Sequence, residues 1–334
     1  MGKTHLVLVV VCLIAVHVAR PPRASAQIYE AVGTRAQGMG GAFVAVANDA
    51  SATWWNPAAL ILSYFSVVVD RAVTEEPADP SGVWRATTGG VAASFPSLGL
   101  SYYRLRVSEI AAPASTAGGD PGRQDLGAAG IGLRSRYTQQ FGATIGQSLG
   151  NHVVIASTLK LVRAGESAAP PGTLDEADEL EPSLDSSGDL DIGALVMVAS
   201  ARIGVSVKHV NEPEFGEGSG RFVLGRQVRA GFAWVAGQTG APVIVTAAFD
   251  ADLTRTPTAF GEARHIASGV EVELPRQRLA VRGGVSANTV GDTGSSVSGG
   301  VSLGLVRGFY LDAARTFGSD RSRKGWAASF RLTI

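Results

Sequence analysis

Three glycines in four residues, Gly38, Gly40 and Gly41, raise the first chemical question. Glycine-rich turns let backbone amides close on a phosphate, but a dinucleotide fingerprint needs a strand before the glycines and a helix opening after them. The residues ahead do not supply that strand. Lys3 is followed by an apolar run from Leu6 to Val18, then by Arg20-Pro21-Pro22-Arg23 and Ala24-Ser25-Ala26. A basic start, a short apolar core and a small-residue site describe a secretory signal peptide over residues 1–26, cleaved to leave Gln27 first. A membrane anchor would need about 20 apolar residues. The glycines then fall close to the mature N-terminus, and the nucleotide reading fails.

Other chemistry is equally sparse. A hydrolase or acyltransferase needs a nucleophile, a base and an orienting group within hydrogen-bond reach. After residue 26 the histidines are His152, His209 and His265, the first near a short turn and the others near longer connections. No shared catalytic site follows, so neither an enzyme nor a cofactor is expected. The segment 166–191 carries Glu166, Asp175, Glu176, Asp178, Glu179, Glu181, Asp185, Asp189 and Asp191. Oxygen ligands of this kind gather hard cations at a lipopolysaccharide surface, but the spacing of a dedicated calcium loop is missing. Its proline, serine and acid content reads as a solvated, disordered loop, and no metal site is expected.

Losing Lys3, Arg20 and Arg23 leaves 26 basic against 29 acidic residues, a formal charge of −3. That balance offers nothing to nucleic acid. The one cysteine, Cys12, lies inside the leader, so the mature chain has no disulfide.

The elements that position the rest are strands. Val153, Ile155, Leu159 and Leu161 alternate with His152, Thr158 and Lys160; Val228, Phe232 and Trp234 alternate with Gln227 and Arg229; Leu279, Val281 and Val285 alternate with Arg278 and Arg282. Period two with one apolar face is the strand signal. Fourteen segments carry it: 63–71, 89–95, 98–107, 131–147, 151–163, 191–199, 202–209, 226–235, 243–250, 265–274, 278–286, 296–305, 307–314 and 325–334. Their connections alternate long and short, with 72–88, 108–130, 164–190 and 210–225 among the long ones. Short turns on one side, longer loops on the other and an even strand count mark a transmembrane antiparallel barrel, and closure satisfies every backbone group in lipid. The competing architecture is a soluble sandwich with solvated charges. In a barrel Leu279, Val281, Phe232 and Trp234 face lipid, while Arg229, Glu271, Glu273 and Arg282 face the lumen. The hairpin at ELPRQR sets either Glu273 beside Arg278 or Glu271 beside Arg282. The last segment alternates Trp326, Ala328, Phe330, Leu332 and Ile334 on one face, as closing strands of outer-membrane barrels do.

With the barrel over 63–334, residues 27–62 have no place in the wall. Their small residues and the bulk of Trp54 and Trp55 suit a hatch inside a lumen too wide for side chains to fill. Asn48 and Asp49 cap a turn there, and Pro57 opens a brief helix after Asn56. The stretch RAQGMGGAFVAVANDASATWWNPAAL resembles the N-terminal signature of the FadL/PorV superfamily of outer-membrane proteins. Arg35, Gly38, Met39, Gly40, Gly41, Ala42, Phe43, Ala47, Asp49, Ala50, Ser51, Asn56, Pro57 and Ala58 carry the match. The resemblance implies a fourteen-stranded barrel of the Gram-negative outer membrane with an N-terminal hatch. It also implies passive transport of hydrophobic small molecules or, in the PorV branch, a role beside a secretion partner. A general porin is the third expectation. Outer-membrane lipid and lipopolysaccharide are the expected surroundings.

Overall fold

The computed structural model describes residues 32–79, 82–111, 132–217, 221–237, 241–258, 261–274 and 278–334. The signal-peptide expectation falls outside them. Fourteen strands form one closed antiparallel barrel in chain order. They are β1 Ser66–Asp79, β2 Gly82–Phe95, β3 Leu98–Ala111, β4 Gly132–Leu149 and β5 Val153–Ala169. Next come β6 Asp185–Val198, β7 Ala201–Lys208, β8 Gln227–Ala236, β9 Ile244–Asp252 and β10 His265–Glu273. The last are β11 Leu279–Asn288, β12 Gly294–Val306, β13 Phe309–Gly318 and β14 Gly325–Thr333. Each pairs with its chain neighbours, and β14 closes on β1 from Ser66↔Thr333 to Thr74↔Gly325. Among the described residues no helix is long and apolar enough to cross a membrane.

The faces follow from the pleat. Val69, Val91, Phe141, Ile155, Phe232, Phe249, Val281, Val297 and Phe330 point outward and are exposed. A soluble protein does not leave that much contiguous apolar surface to water; in a bilayer it is the lipid face. Many inward positions are small or polar, such as Ala233, Ala248, Ala267, Ser298, Thr316 and Ala327, all buried.

Each of the fourteen segments read from the sequence overlaps one wall strand, but two connections differ from expectation. Residues 72–88 are no long loop: β1 runs on to Asp79 and β2 starts at Gly82, so this hairpin breaks the long–short alternation. The sequence there, TEEPAD and WRATTGG, is polar at successive positions, so it carries no period-two signal although the ladder continues. The acidic stretch 166–191 is not a disordered loop either. β5 reaches Ala169, β6 begins at Asp185, and between them a helix, Leu174–Glu179, is closed by a Thr173/Glu176 capping box. Its acids have basic partners: Asp175 and Asp178 bind Arg85, and Glu166 pairs with Arg134 and Arg136.

Residues 32–62 lie within the ring. α1 (Thr34–Gly38), α2 (Ala52–Trp55) and a 3-10 turn (Pro57–Leu62) are almost wholly buried, and α3 is the helix Leu174–Glu179 of the β5–β6 connection. Small residues keep this segment thin: Ala36, Ala42, Ala45, Ala47, Ala50, Ala52, Ala58 and Ala59 have no solvent-accessible surface. With Met39, Phe43, Trp54, Trp55 and Leu60 they form the core together with Leu105, Leu195 and Ala233 of the wall.

Candidate functional site

The interior segment is fastened to the wall by charge and by backbone. Arg35, on α1, donates from Nη2 and Nε to the two oxygens of Glu271 at 2.6 and 3.3 Å. Its Nη1 donates to Asp49 at 2.7 Å and Asn48 at 2.6 Å. A fork-shaped guanidinium is suited to that double task. Asp49 uses its other oxygen to accept from the Ser51 amide and hydroxyl, which sets the turn into α2. On the wall side, Arg282 Nε lies 2.9 Å from Glu271 Oε2. Arg282 also bonds the Ser302 hydroxyl, Ser302 donates to Asp312, and Arg331 donates to Asp312 at 3.1 Å. Arginines 35, 282 and 331 thus alternate with Asp49, Glu271 and Asp312 in one neutral buried chain.

Of the two hairpin registers open in the sequence, β10 and β11 take Glu271↔Arg282, and Glu273 stands opposite Ala280. Glu273 is half-buried. Arg229 lies farther round the wall, paired with Asp252 at 2.6 Å and reaching the Gly41 carbonyl at 3.4 Å. It also stacks over Trp55, 5.3 Å from the ring centre.

Trp54 packs edge-on to Tyr103 under the Lys208 ammonium, and Trp55 donates its indole N–H to Val32 O at 2.7 Å. Asn56 works in three directions: it accepts from the Ala58 amide and donates to Val44 O within the segment and to Ala194 O on β6. Pro57 follows at the first position of the 3-10 turn, where its missing N–H costs nothing. Gly40 has φ +67°, and a Cβ there would stand 2.8 Å from the Val285 backbone, so both its conformation and its space demand glycine. A Cβ on Gly38 would meet the Arg282 side chain instead.

The anchoring role of two inward acids was not legible in the sequence. Asp250 accepts the Phe43 and Val44 amides at 2.8 and 2.9 Å, and Asp70 accepts the Gly33 amide at 2.9 Å. Only their inward position was signalled, since both acids interrupt apolar runs, VVVD and AAFD. Wall glycines were missed as well: a side chain on Gly284 would strike Met39 and Gly40, so the wall is thinned where the segment touches it.

The histidines stay apart. His152 is exposed. His209, Asp189 and Asp191 bring ligand atoms within 4.8 Å of one another, a grouping that suits a cation. The Lys160 ammonium already serves as that cation, 2.9 Å from Asp189 and 2.7 Å from Asp191. His265 binds Asp320, in the β13–β14 connection, at 2.9 Å. Burial pushes the Asp320 carboxyl up, but the His265 bond and charge outweigh it and hold the group below the usual carboxylate range. A depressed folded value means the stabilisation is complete above the ordinary carboxylate range and is lost as pH falls through the lowered one. Asp320→Asn is therefore expected to flatten the acid limb of the unfolding curve, as read by intrinsic fluorescence against pH.

A closed fourteen-stranded transmembrane barrel that holds its own N-terminal residues in the lumen is the class this geometry defines. Solved structures share the barrel fold. A Pseudomonas aeruginosa FadL homologue superposes with a TM-score of 0.59 at 11% identity, covering 92% of this chain and 100% of that one. A TodX mutant monoaromatic hydrocarbon channel gives 0.58 at 11% identity, over 91% and 97%. The Ralstonia pickettii toluene transporter TbuX gives 0.56 at 12% identity, over 91% and 99%. The chain has the FadL-type barrel fold. By sequence, neither a family model nor a curated protein matches it.

Proposed function

We propose that this protein is an outer-membrane conduit for small hydrophobic compounds, exported through a cleaved leader, with residues 32–62 as the hatch that gates passage. The observation that carries this reading is the hatch itself. A wall of this size leaves a lumen that side chains alone do not fill, and here it is filled by a segment anchored through Arg35, Asp70, Asp250 and Asn56. Free flow of ions is the wrong expectation for such a lumen, which argues against a general porin. Phe215, Phe222 and Leu224, carried on or beside a short ribbon in the β7–β8 connection, pack on Val162 and Ala164 on the inward face of β5. The fold shared with hydrocarbon channels agrees with this reading.

Removing residues 32–52 tests it. The variant is expected to keep its heat-dependent gel shift as a folded barrel, to conduct ions in planar bilayers several-fold more than the parent, and to lose discrimination among hydrophobic probes in liposome uptake. Gly40→Val is expected to do the same to a smaller degree. A secretion-partner barrel would instead lose a co-purifying protein with probe uptake unchanged. A folded deletion variant with unaltered conductance and uptake would sink the gate.

A further inference from the structure

The outer face of β1–β5 changes character within a single rung. The outward apolar runs of these strands end at Val69, Val91, Tyr102, Phe141 and Leu161, which are register partners across the five strands. The next outward rung, nearer the long-connection end, reads Arg71, Gly89, Arg104, Gln139 and Arg163. Arg71, Arg104 and Arg163 are exposed. Their neighbours Arg85, Arg134 and Arg136 all pair with acids, yet none of these three has a carboxylate within ion-pair distance among the described residues. Three guanidinium groups with no carboxylate partner among the described residues, bordering a lipid-facing band, call for an anion from the membrane.

The surface is also shaped to receive one. Arg71 and Arg104 flank Gly89, two strand spacings or about 10 Å apart, with no side chain between them. A groove of about 570 Å³ is lined there by Arg71, Gly89, Arg104 and Arg106. Val91 and Tyr102 line both this groove and a second one of about 720 Å³, whose walls are apolar: Leu100, Phe141, Leu159 and Leu161. α3 caps the polar end. Its Asp178 borders the groove and is engaged by Arg85 at 2.7 Å and by the Ser108 hydroxyl. The result is one amphipathic trough, cationic towards the long-connection end and apolar towards mid-membrane.

We propose that this trough binds a phosphorylated acyl glycolipid of the outer leaflet, of the lipid A type. One phosphate sits between Arg71 and Arg104 over Gly89, a second meets Arg163, and an acyl chain lies along Tyr102, Phe141 and Leu161. Arginine forks match phosphate oxygens bidentately. A neutral hydrophobic solute would fill the apolar groove but gain nothing from the arginines. The site rests on the outer-membrane part of the proposed function and not on the gate.

The test uses the full folded barrel in detergent. Density fractionation of cells comes first. Recovery away from the outer membrane would overturn the location and this site together. With outer-membrane recovery in hand, native mass spectrometry compares diphosphoryl lipid A with its dephosphorylated form, for the parent and for Arg71→Gln/Arg104→Gln. The parent is expected to bind the diphosphoryl form at least tenfold more tightly than the dephosphorylated one. The double variant is expected to lose that preference while keeping its heat-dependent gel shift and its hatch-dependent uptake. Adding Arg163→Gln should weaken binding further, whereas Arg255→Gln, in an exposed pair with Glu262 elsewhere, should not. Equal binding of the two lipid forms, or an undiminished preference in the folded double variant, would overturn the site alone.

Discussion

Arg35→Met is expected to lower the unfolding free energy of the barrel by about 3–5 kcal/mol, the cost of stranding a buried charge. Glu271 would be left in a closed interior with Arg282 as its remaining basic partner, and Asp49 would lose the group that ties its turn to the wall. The loss does not measure what the pair contributes, because a buried ion pair replaced whole by apolar side chains is often near neutral. Arg35→Met/Glu271→Met is therefore expected to cost less than the two single changes added, with a coupling energy of at least about 1 kcal/mol. Urea titrations in detergent, followed by tryptophan fluorescence, read both quantities, and Trp54 and Trp55 report directly on the interior segment. A single-variant loss below about 1 kcal/mol would mean that Asp70, Asp250 and the apolar core hold the segment and the charge chain is incidental.

The second large effect is on the outside. Phe232 sits midway along β8, exposed, with Ile203 and Phe249 as its outward neighbours on β7 and β9. Phe232→Arg is expected to cost about 2–4 kcal/mol, the depth-dependent penalty for a cation near the bilayer midplane. Val306→Arg, equally outward but at the short turn that ends β12, should cost about 0–1 kcal/mol because its side chain reaches the interface. Folding yields into liposomes, or reversible unfolding in them, separate the two. Equal tolerance would show that the band of exposed apolar residues is not the lipid face.

How far these features were legible in the sequence differs by element. The strands were readable because a wall residue has only two environments, lipid and lumen, and the pleat alternates them. Phe232 and Trp234 against Arg229 therefore disclose the face without any partner strand in view. That signal stops where the second environment stops: β1 and β2 continue through TEEPAD and WRATTGG with polar residues on both faces, so the ladder there left no trace in the pattern. α3 was invisible for a related reason, since its acids look like those of a solvated loop until Arg85, Arg106 and Ser108 are brought beneath them.

Inside the barrel the sequence determined the ingredients: a compact glycine- and alanine-rich segment, two tryptophans, an Asn-Pro turn and a set of inward charges. It left two registers open at the β10–β11 hairpin and gave no partner for Arg35, because the arginine and Glu271 lie 236 residues apart. Only closure of the ring decided that pairing. Local pattern reports which face a side chain takes, whereas contact between an interior segment and a distant strand depends on the register accumulated around all fourteen strands. Those pairings set the positions of Glu271, Asp250 and Asp70 around the lumen, and it was the tertiary structure that brought Arg35 and the amides of Gly33, Phe43 and Val44 to them.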